Sequence, residues 1–396
     1  MTAMPGDLTK RVDLFDLLER MCQALEPGVT QQDRARSSYE AIGQFLAGAT
    51  DPAFSGVEIA PQGSVVLGTM TKPVGRLEYD VDLLCRLKRI IASSDPAYVK
   101  QLVGRRLKES TRYAAMLEEK QRCWRLNYAG DFHLDITPSI SNPNCTQGGE
   151  LVPDRQLQCW KPTNPTGYRL KFEERAALEP QMTYASLQMR KMAADSVEPF
   201  PENKQFKGIL RRTVQLAKRH RDNFFLNRDA ALAPISVIIT TLAAKSYEYC
   251  VCKQAYSTGF DLLTDVLAHM LDFIDKQHEG GRTRWYIWNE TTIGENFAEK
   301  WNSSPERAVA FFQWHRAALA DVVGLADLVG LDSLHKSLNS AFGDKAGDAA
   351  IGTIRQDFTA AREHKSLAFA GRAGLALAPT AISTPVRANT FFGRCE

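Results

Sequence analysis

Asp80-Val81-Asp82, joined later by Asp135 in Phe132-His133-Leu134-Asp135-Ile136, constrains this chain more than any other feature. Side chains alternate faces along a strand, so Asp80 and Asp82 point one way while Val81 and Leu83 point into a core. The second run alternates too, with His133, Asp135 and Thr137 on one face and Phe132, Leu134 and Ile136 on the other. Three carboxylates converging on one sheet face repel one another unless cations sit between them. Magnesium suits such a cage, because it takes hard oxygen ligands and keeps positions open for waters and phosphates. The pattern therefore predicts two-metal phosphoryl or nucleotidyl transfer.

The preceding turn supports this reading. Gln62-Gly63-Ser64 follows the short apolar run Val57-Glu58-Ile59-Ala60 and leads into Val65-Val66-Leu67-Gly68-Thr69. Glycine lets a backbone approach a ligand closely, and a serine hydroxyl with free N–H groups at a helix start suits a phosphate. Alone, a Gly-Ser pair is usually just a turn and an Asp-x-Asp a solvated strand edge. The order of strand, Gly-Ser turn, Asp-x-Asp strand and later strand Asp is far more specific.

These stretches resemble the polymerase-β-like nucleotidyltransferases and, within them, the bacterial cGAS/DncV-like enzymes. The matching segments are PQGSVVLGT (61–69), EYDVDLLCRL (78–87) and FHLDITPSI (132–140). VPDRQLQCWKPTNPTGY (152–168), LRRTVQLAKRHRD (210–222), PISVIITTLAAKSY (234–247) and ENFAEKW (295–301) extend the resemblance over roughly residues 40–320. It implies an α+β fold: a nucleotidyltransferase core with a mixed twisted sheet and flanking helices, plus a C-terminal helical domain, in two lobes. It also implies synthesis of a cyclic di- or trinucleotide signal from NTPs, ATP among them, in an antiphage system whose effector protein senses the product. Under the resemblance Asp80, Asp82 and Asp135 are catalytic and hold two Mg²⁺ ions, with Mn²⁺ as a substitute. Gln62, Gly63 and Ser64 would grip the donor phosphates. Lys218 and Ser236 match positions that contact the donor triphosphate.

Two domains with good cores fit in 396 residues. With 44% hydrophobic and 24% charged residues, the composition is that of an ordinary soluble protein. Asp7, Lys10, Arg11, Asp13 and Asp16 interrupt any N-terminal signal peptide, and the longest near-apolar run, 233–244, is too short for a bilayer. A cytoplasmic protein is expected, with no membrane partner. The eight cysteines are then expected as free thiols. Cys250-x-Cys252 lacks the spacing and second ligand pair of a structural zinc site. A net charge of +3 argues against a large RNA substrate, and activation by nucleic acid is not expected.

Along the chain, residues 1–200 read as the nucleotidyltransferase core with N-terminal helices and a turn-rich insertion at 141–180. Residues 201–340 read as the helical domain, and 341–396 as a small-residue-rich, partly irregular segment. Helical spacing over 8–48 is broken at Glu26-Pro27-Gly28, giving two helices. Pro96 to Lys120 reads as an amphipathic helix, and Ala129-Gly130-Asp131 as a hairpin turn. Residues 141–180 read as one long irregular stretch, whose Trp160, Tyr168 and Phe172 are expected to pin it to the core. From Asn203 onward the pattern is helical almost to the end. Within 204–221 stand Lys204, Lys207, Arg211, Arg212, Lys218, Arg219 and Arg221 with no acidic residue. Such a run is either a solvated helix face or a grip on an anion such as a triphosphate tail. His220 reads as a surface residue of that helix, His133 as a packing or hydrogen-bonding residue beside Asp135, and Cys85 as lacking any base to make it a nucleophile.

The competing activity is a nucleotidyltransferase that extends a macromolecule, of poly(A) or tRNA type, or a linear oligoadenylate synthase. A catalytically dead protein keeping the fold is disfavoured by the presence of all three acidic residues.

Overall fold

The break at Glu26-Pro27-Gly28 separates α1 (Pro5–Ala24) from α2 (Val29–Ala47) in the structure, a computed structural model that describes residues 5–72, 74, 78–128, 130–154, 158–183, 207–369, 375–376 and 384–386. Then follow β1 (Glu58–Gln62), α3 (Ser64–Leu67), β2 (Tyr79–Arg86), α4 (Pro96–Lys108), α5 (Thr111–Ala114) and β3 (Leu117–Glu119). The core continues with β4 (Trp124–Tyr128), β5 (Phe132–Ser141), β6 (Glu150–Asp154), β7 (Cys159–Thr163) and α6 (Pro165–Ala176). These strands form one seven-stranded sheet, ordered β1-β2-β5-β4-β3, with β6 continuing from β5 and β7 from β6. Only β2 and β5 run parallel; every other pairing is antiparallel, so the sheet is mixed.

Val81, Leu83, Leu134 and Ile136 are buried, as the alternation requires, together with Ile42, Leu46 and Val103 from the covering helices. Asp95 caps α4, its carboxylate accepting from the N–H groups of Ala97 and Tyr98, while Pro96 supplies a helix-ready φ. α4 lies so close to the sheet that a Cβ at Gly104 would stand 2.2 Å from the Trp124 ring.

The structure corrects four readings. The helix expected over 96–120 ends at Lys108, because Ser110 caps a separate turn and Leu117–Glu119 gains more as an edge strand against β4. The stretch 141–180 is not irregular: it holds β6, β7 and α6, with Asn164 capping α6 and Pro165 at its first position. Its aromatics do pin it inward, Trp160 donating to Ser94 O at 3.0 Å and Tyr168 pairing with Thr241 Oγ1 at 2.9 Å. Beyond residue 203 a hairpin interrupts the helices, where Gly280 and Gly281 both take positive φ. His220 is buried rather than exposed, its Nε2 3.0 Å from Asp321 Oδ2. Lys204 lies outside the described residues.

The helices after the core are α7 (Ile209–Phe224), α8 (Ser236–Lys253), α9 (Gly259–His269), α10 (Glu299–Ser303) and α11 (Pro305–Gly324), with the hairpin β8 (Asp275–Glu279) and β9 (Arg282–Tyr286) between α9 and α10. α1 packs among them. Arg212 of α7, 1% exposed, forks onto both oxygens of Glu19 at 2.6 Å and reaches Glu26 at 2.6 Å. Each charge in that network satisfies the others, which is the condition for burying it. Residues 1–327 form one compact unit and 328–396 a second. The second contains α12 (Leu331–Phe342), α13 (Asp344–Glu363) and the short strands β10 (Ala368–Phe369), β11 (Leu375–Ala376) and β12 (Thr384–Pro385). The small residues from 344 onward therefore include a full helix. Among the described residues no helix is long and apolar enough to cross a membrane, and all seven cysteines are free thiols.

Candidate active site

Parallel pairing of β2 with β5 sets Asp80 beside His133 and Asp82 beside Asp135. Antiparallel pairing of β1 with β2 sets Gln62 beside Asp82, so the turn at Gly63 rises directly over the carboxylates. Gly63 takes φ 68°, ψ −148°, and a Cβ there would lie 2.2 Å from Asp82 Oδ2. No other residue type fits this approach.

A cleft of about 620 Å³ opens here, lined by Gln62, Gly63 and Ser64 of the turn, Asp80 and Asp82 of β2, Lys218 of α7 and Ser236 of α8. Seven of the eight residues singled out from sequence thus share one cavity. The eighth, Asp135, is absent from the lining, because its carboxylate is turned to Arg125. Arg125 Nε and Nη2 donate to the two Asp135 oxygens at 2.7 Å each, and Nη2 also reaches Asp80 Oδ1 at 3.0 Å. Such two-pronged, charge-assisted pairs are strong. His133 does not line the cleft; its Nδ1 stands 3.1 Å from Oε2 of Glu78, which does.

The charges show what the site lacks. Asp82 is pushed up to about 7, first by burial and then by repulsion from Asp135 and Asp80. Asp80 is raised in the same direction, by desolvation in the cleft and by Asp135, against the pull of Arg125. Lys218 is lowered to about 8, mainly by burial and then by Arg221. Its ammonium donates to Thr69 O at 2.9 Å, leaving two further protons for other acceptors.

Among the described residues no three His, Cys, Asp or Glu side chains stand as a ready metal centre. The donor set nevertheless fits hard divalent cations: oxygen ligands, one buried carboxyl pushed up by its carboxylate neighbours, and a guanidinium holding the place of a cation between Asp80 and Asp135.

Arg125 and Arg221 are site residues that the sequence reading did not assign. Arg125 was findable. A hairpin that pairs Tyr128 with Phe132 must pair Arg125 with Asp135. Arg221 lies one helical turn beyond Lys218 and donates to Ser236 Oγ and Pro234 O, each at 3.0 Å.

Solved structures share this architecture. The CD-NTase CdnG of Bradyrhizobium diazoefficiens, in complex with GTP, aligns with a TM-score of 0.63 at 16% identity, over 87% of this chain and 99% of that one. CdnC of E. coli, in complex with a HORMA protein, aligns with a TM-score of 0.57 at 13% identity, over 83% and 97%. The fold is that of the polymerase-β-like nucleotidyltransferases. Residues 14–175 match the Second Messenger Oligonucleotide or Dinucleotide Synthetase domain. A c-di-GMP synthase of Roseivirga ehrenbergii is 30% identical over 392 residues, 97% of this chain and 98% of that protein. The chain belongs to the bacterial cGAS/DncV-like nucleotidyltransferases, enzymes that synthesise cyclic oligonucleotides.

Proposed function

We propose that this enzyme condenses nucleoside triphosphates, GTP among them, into a cyclic dinucleotide in a divalent-metal-dependent reaction. The observation that carries this reading is the single cleft joining Asp80 and Asp82 to Ser64, Lys218 and Ser236. Nucleotidyl transfer needs positioning and neutralised charge more than covalent help. Ser64, with Lys218 and with Ser236 braced by Arg221, would hold the donor triphosphate so that pyrophosphate leaves in line. Asp80, Asp82 and Asp135 would hold Mg²⁺ or Mn²⁺. Bound there, the metal would neutralise phosphate charge and make the attacking ribose hydroxyl more acidic. Asp135 must exchange Arg125 for metal to take part.

Guanine is favoured over the ATP expected from the sequence because the 30% identical relative is a c-di-GMP synthase. The enzyme is proposed to act in the cytoplasm, feeding a product-sensing effector in antiphage defence.

The test is to incubate the purified protein with the four NTPs and Mg²⁺ and to analyse small products by mass spectrometry. A cyclic product is expected. It should vanish with EDTA and in Asp80→Asn/Asp82→Asn, whose melting temperature stays near that of the wild type. A ladder of linear oligonucleotides, or near-wild-type turnover in the double variant, sinks the reading.

A further inference from the structure

Glu295 lines the same cleft, on a segment that none of the phosphate chemistry uses. Asn289 N–H donates to Glu295 O at 3.0 Å and Phe297 N–H to Ile287 O at 2.9 Å, and Trp288 pairs with Asn296 between them. From this small ladder Glu295, Asn296 and Phe297 all line the cavity. The carboxylate is held rather than loose. Asn289 Nδ2 donates to Glu295 Oε2 at 2.7 Å. Asn289 Oδ1 is occupied by Thr291 N at 3.0 Å and Thr291 Oγ1 at 2.8 Å, which fixes the amide with its NH₂ toward Glu295. Thr163 stands beside it in the same lining. Burial raises this carboxyl above its ordinary range, while Asn289, Thr163 and Arg122 favour the charged form.

An ionised carboxylate only accepts hydrogen bonds. Of the four common nucleobases, guanine alone offers two adjacent donors on its pairing edge, N1–H and the 2-amino group. Adenine and cytosine each put an amino group beside a lone pair, and uracil has one N–H between two carbonyls. Phe297 and Pro162 add flat apolar surface to the cavity, the kind a purine stacks on.

We propose that Glu295, oriented by Asn289, is the guanine-selecting residue, accepting from N1–H and the 2-amino group of a bound GTP. This rests on the cyclic-nucleotide reading above and assigns its base choice to one side chain. Adenine at the same place would set its N1 lone pair against the carboxylate and leave one oxygen without a donor. Sites built around such pairings reject the wrong ligand strongly.

Glu295→Gln is the informative variant. Its amide oxygen still accepts from Asn289 Nδ2, so the ladder survives, but the pairing edge now offers one acceptor and one donor. The measurements are GTP and ATP binding by calorimetry with Ca²⁺ in place of Mg²⁺, and product composition from equimolar GTP and ATP. The expected result is a fall in GTP-over-ATP preference of about 100-fold, as for losing a charge-assisted bidentate contact, with unchanged melting. Asn289→Ala should shift the ratio in the same direction by a smaller factor, and this second variant decides the matter if Glu295→Gln does not fold. An unaltered GTP:ATP ratio overturns the proposal while leaving the synthase reading intact. Equal loss of both nucleotides overturns it too, making Glu295 a structural residue of the loop. A wild-type enzyme that yields no cyclic product sinks the broader reading instead.

Discussion

Gly63 is the residue whose replacement should be least forgiven. Its φ and ψ lie where residues with a Cβ rarely go, at about 1–3 kcal/mol of strain, and the added methyl would collide with Asp82 Oδ2. Gly63→Ala is therefore expected to lower the melting temperature modestly and to abolish turnover, because relief comes most easily by moving the Asp82 carboxylate. Turnover within a few-fold of wild type, with melting unchanged, would show that Asp82 need not stand under the turn. At this scale the sequence was most readable where neighbours are fixed by local geometry. Asp80 and Asp82 share a face because alternation requires it, and Arg125 could have been added by counting back from the hairpin turn. Glu295 opens the ENFAEKW segment that extended the resemblance, but no local geometry tied it to the cleft. It meets Thr163 and the rest of the cleft only through the tertiary fold, from far along the chain.

At the scale of elements, α7 shows how a charge pattern can be read in the right place and on the wrong grounds. Its basic run suggested either a solvated face or a grip on phosphate. In fact Arg212, Lys218, Arg219 and His220 are all buried, and the run is divided among several tasks. Arg212 clamps α1, Arg211 donates to Leu67 O at 2.9 Å, and among the described residues of the run only Lys218 and Arg221 border the cleft. Partners from distant helices decide such fates, and a single helix does not encode them. The burial of Lys218 has a measurable consequence. With its free-enzyme value lowered to about 8, the ammonium is charged at pH 7 and largely neutral at pH 9. A bound triphosphate favours the charged form, so binding above pH 8 must take up a proton. NTP affinity is expected to fall as pH rises from 7 to 9, by up to about tenfold per unit. Lys218→Ala should cost about 1.5–3 kcal/mol of affinity at pH 7 and flatten the profile. A variant with unchanged affinity and unchanged pH dependence would remove Lys218 from the triphosphate site.

For the whole molecule, signs are mixed and the net charge is only +3. On α1, Arg11 pairs with Asp261 at 2.5 Å and α7 spends Arg212 on Glu19, so these basic residues are engaged within the fold rather than offered to a duplex. Binding long nucleic acid requires many free Lys and Arg to displace condensed counterions. Double-stranded DNA or RNA is therefore expected not to stimulate product formation. Yield measured with and without long duplexes, at low and physiological salt, checks this, and a large salt-sensitive stimulation would overturn it. The contact between Arg125, Asp135 and Asp80 reaches further than its size suggests. In many metalloproteins the polypeptide gains its shape and its ion in one event, because bare ligands will not stay together. Here Arg125 supplies part of the counterweight, so Asp135 and Asp80 are held together across the central strands with no ion between them. Under the proposed metal-dependent reaction, folding and metal loading are then separate steps, the first resting on the chain's own charges.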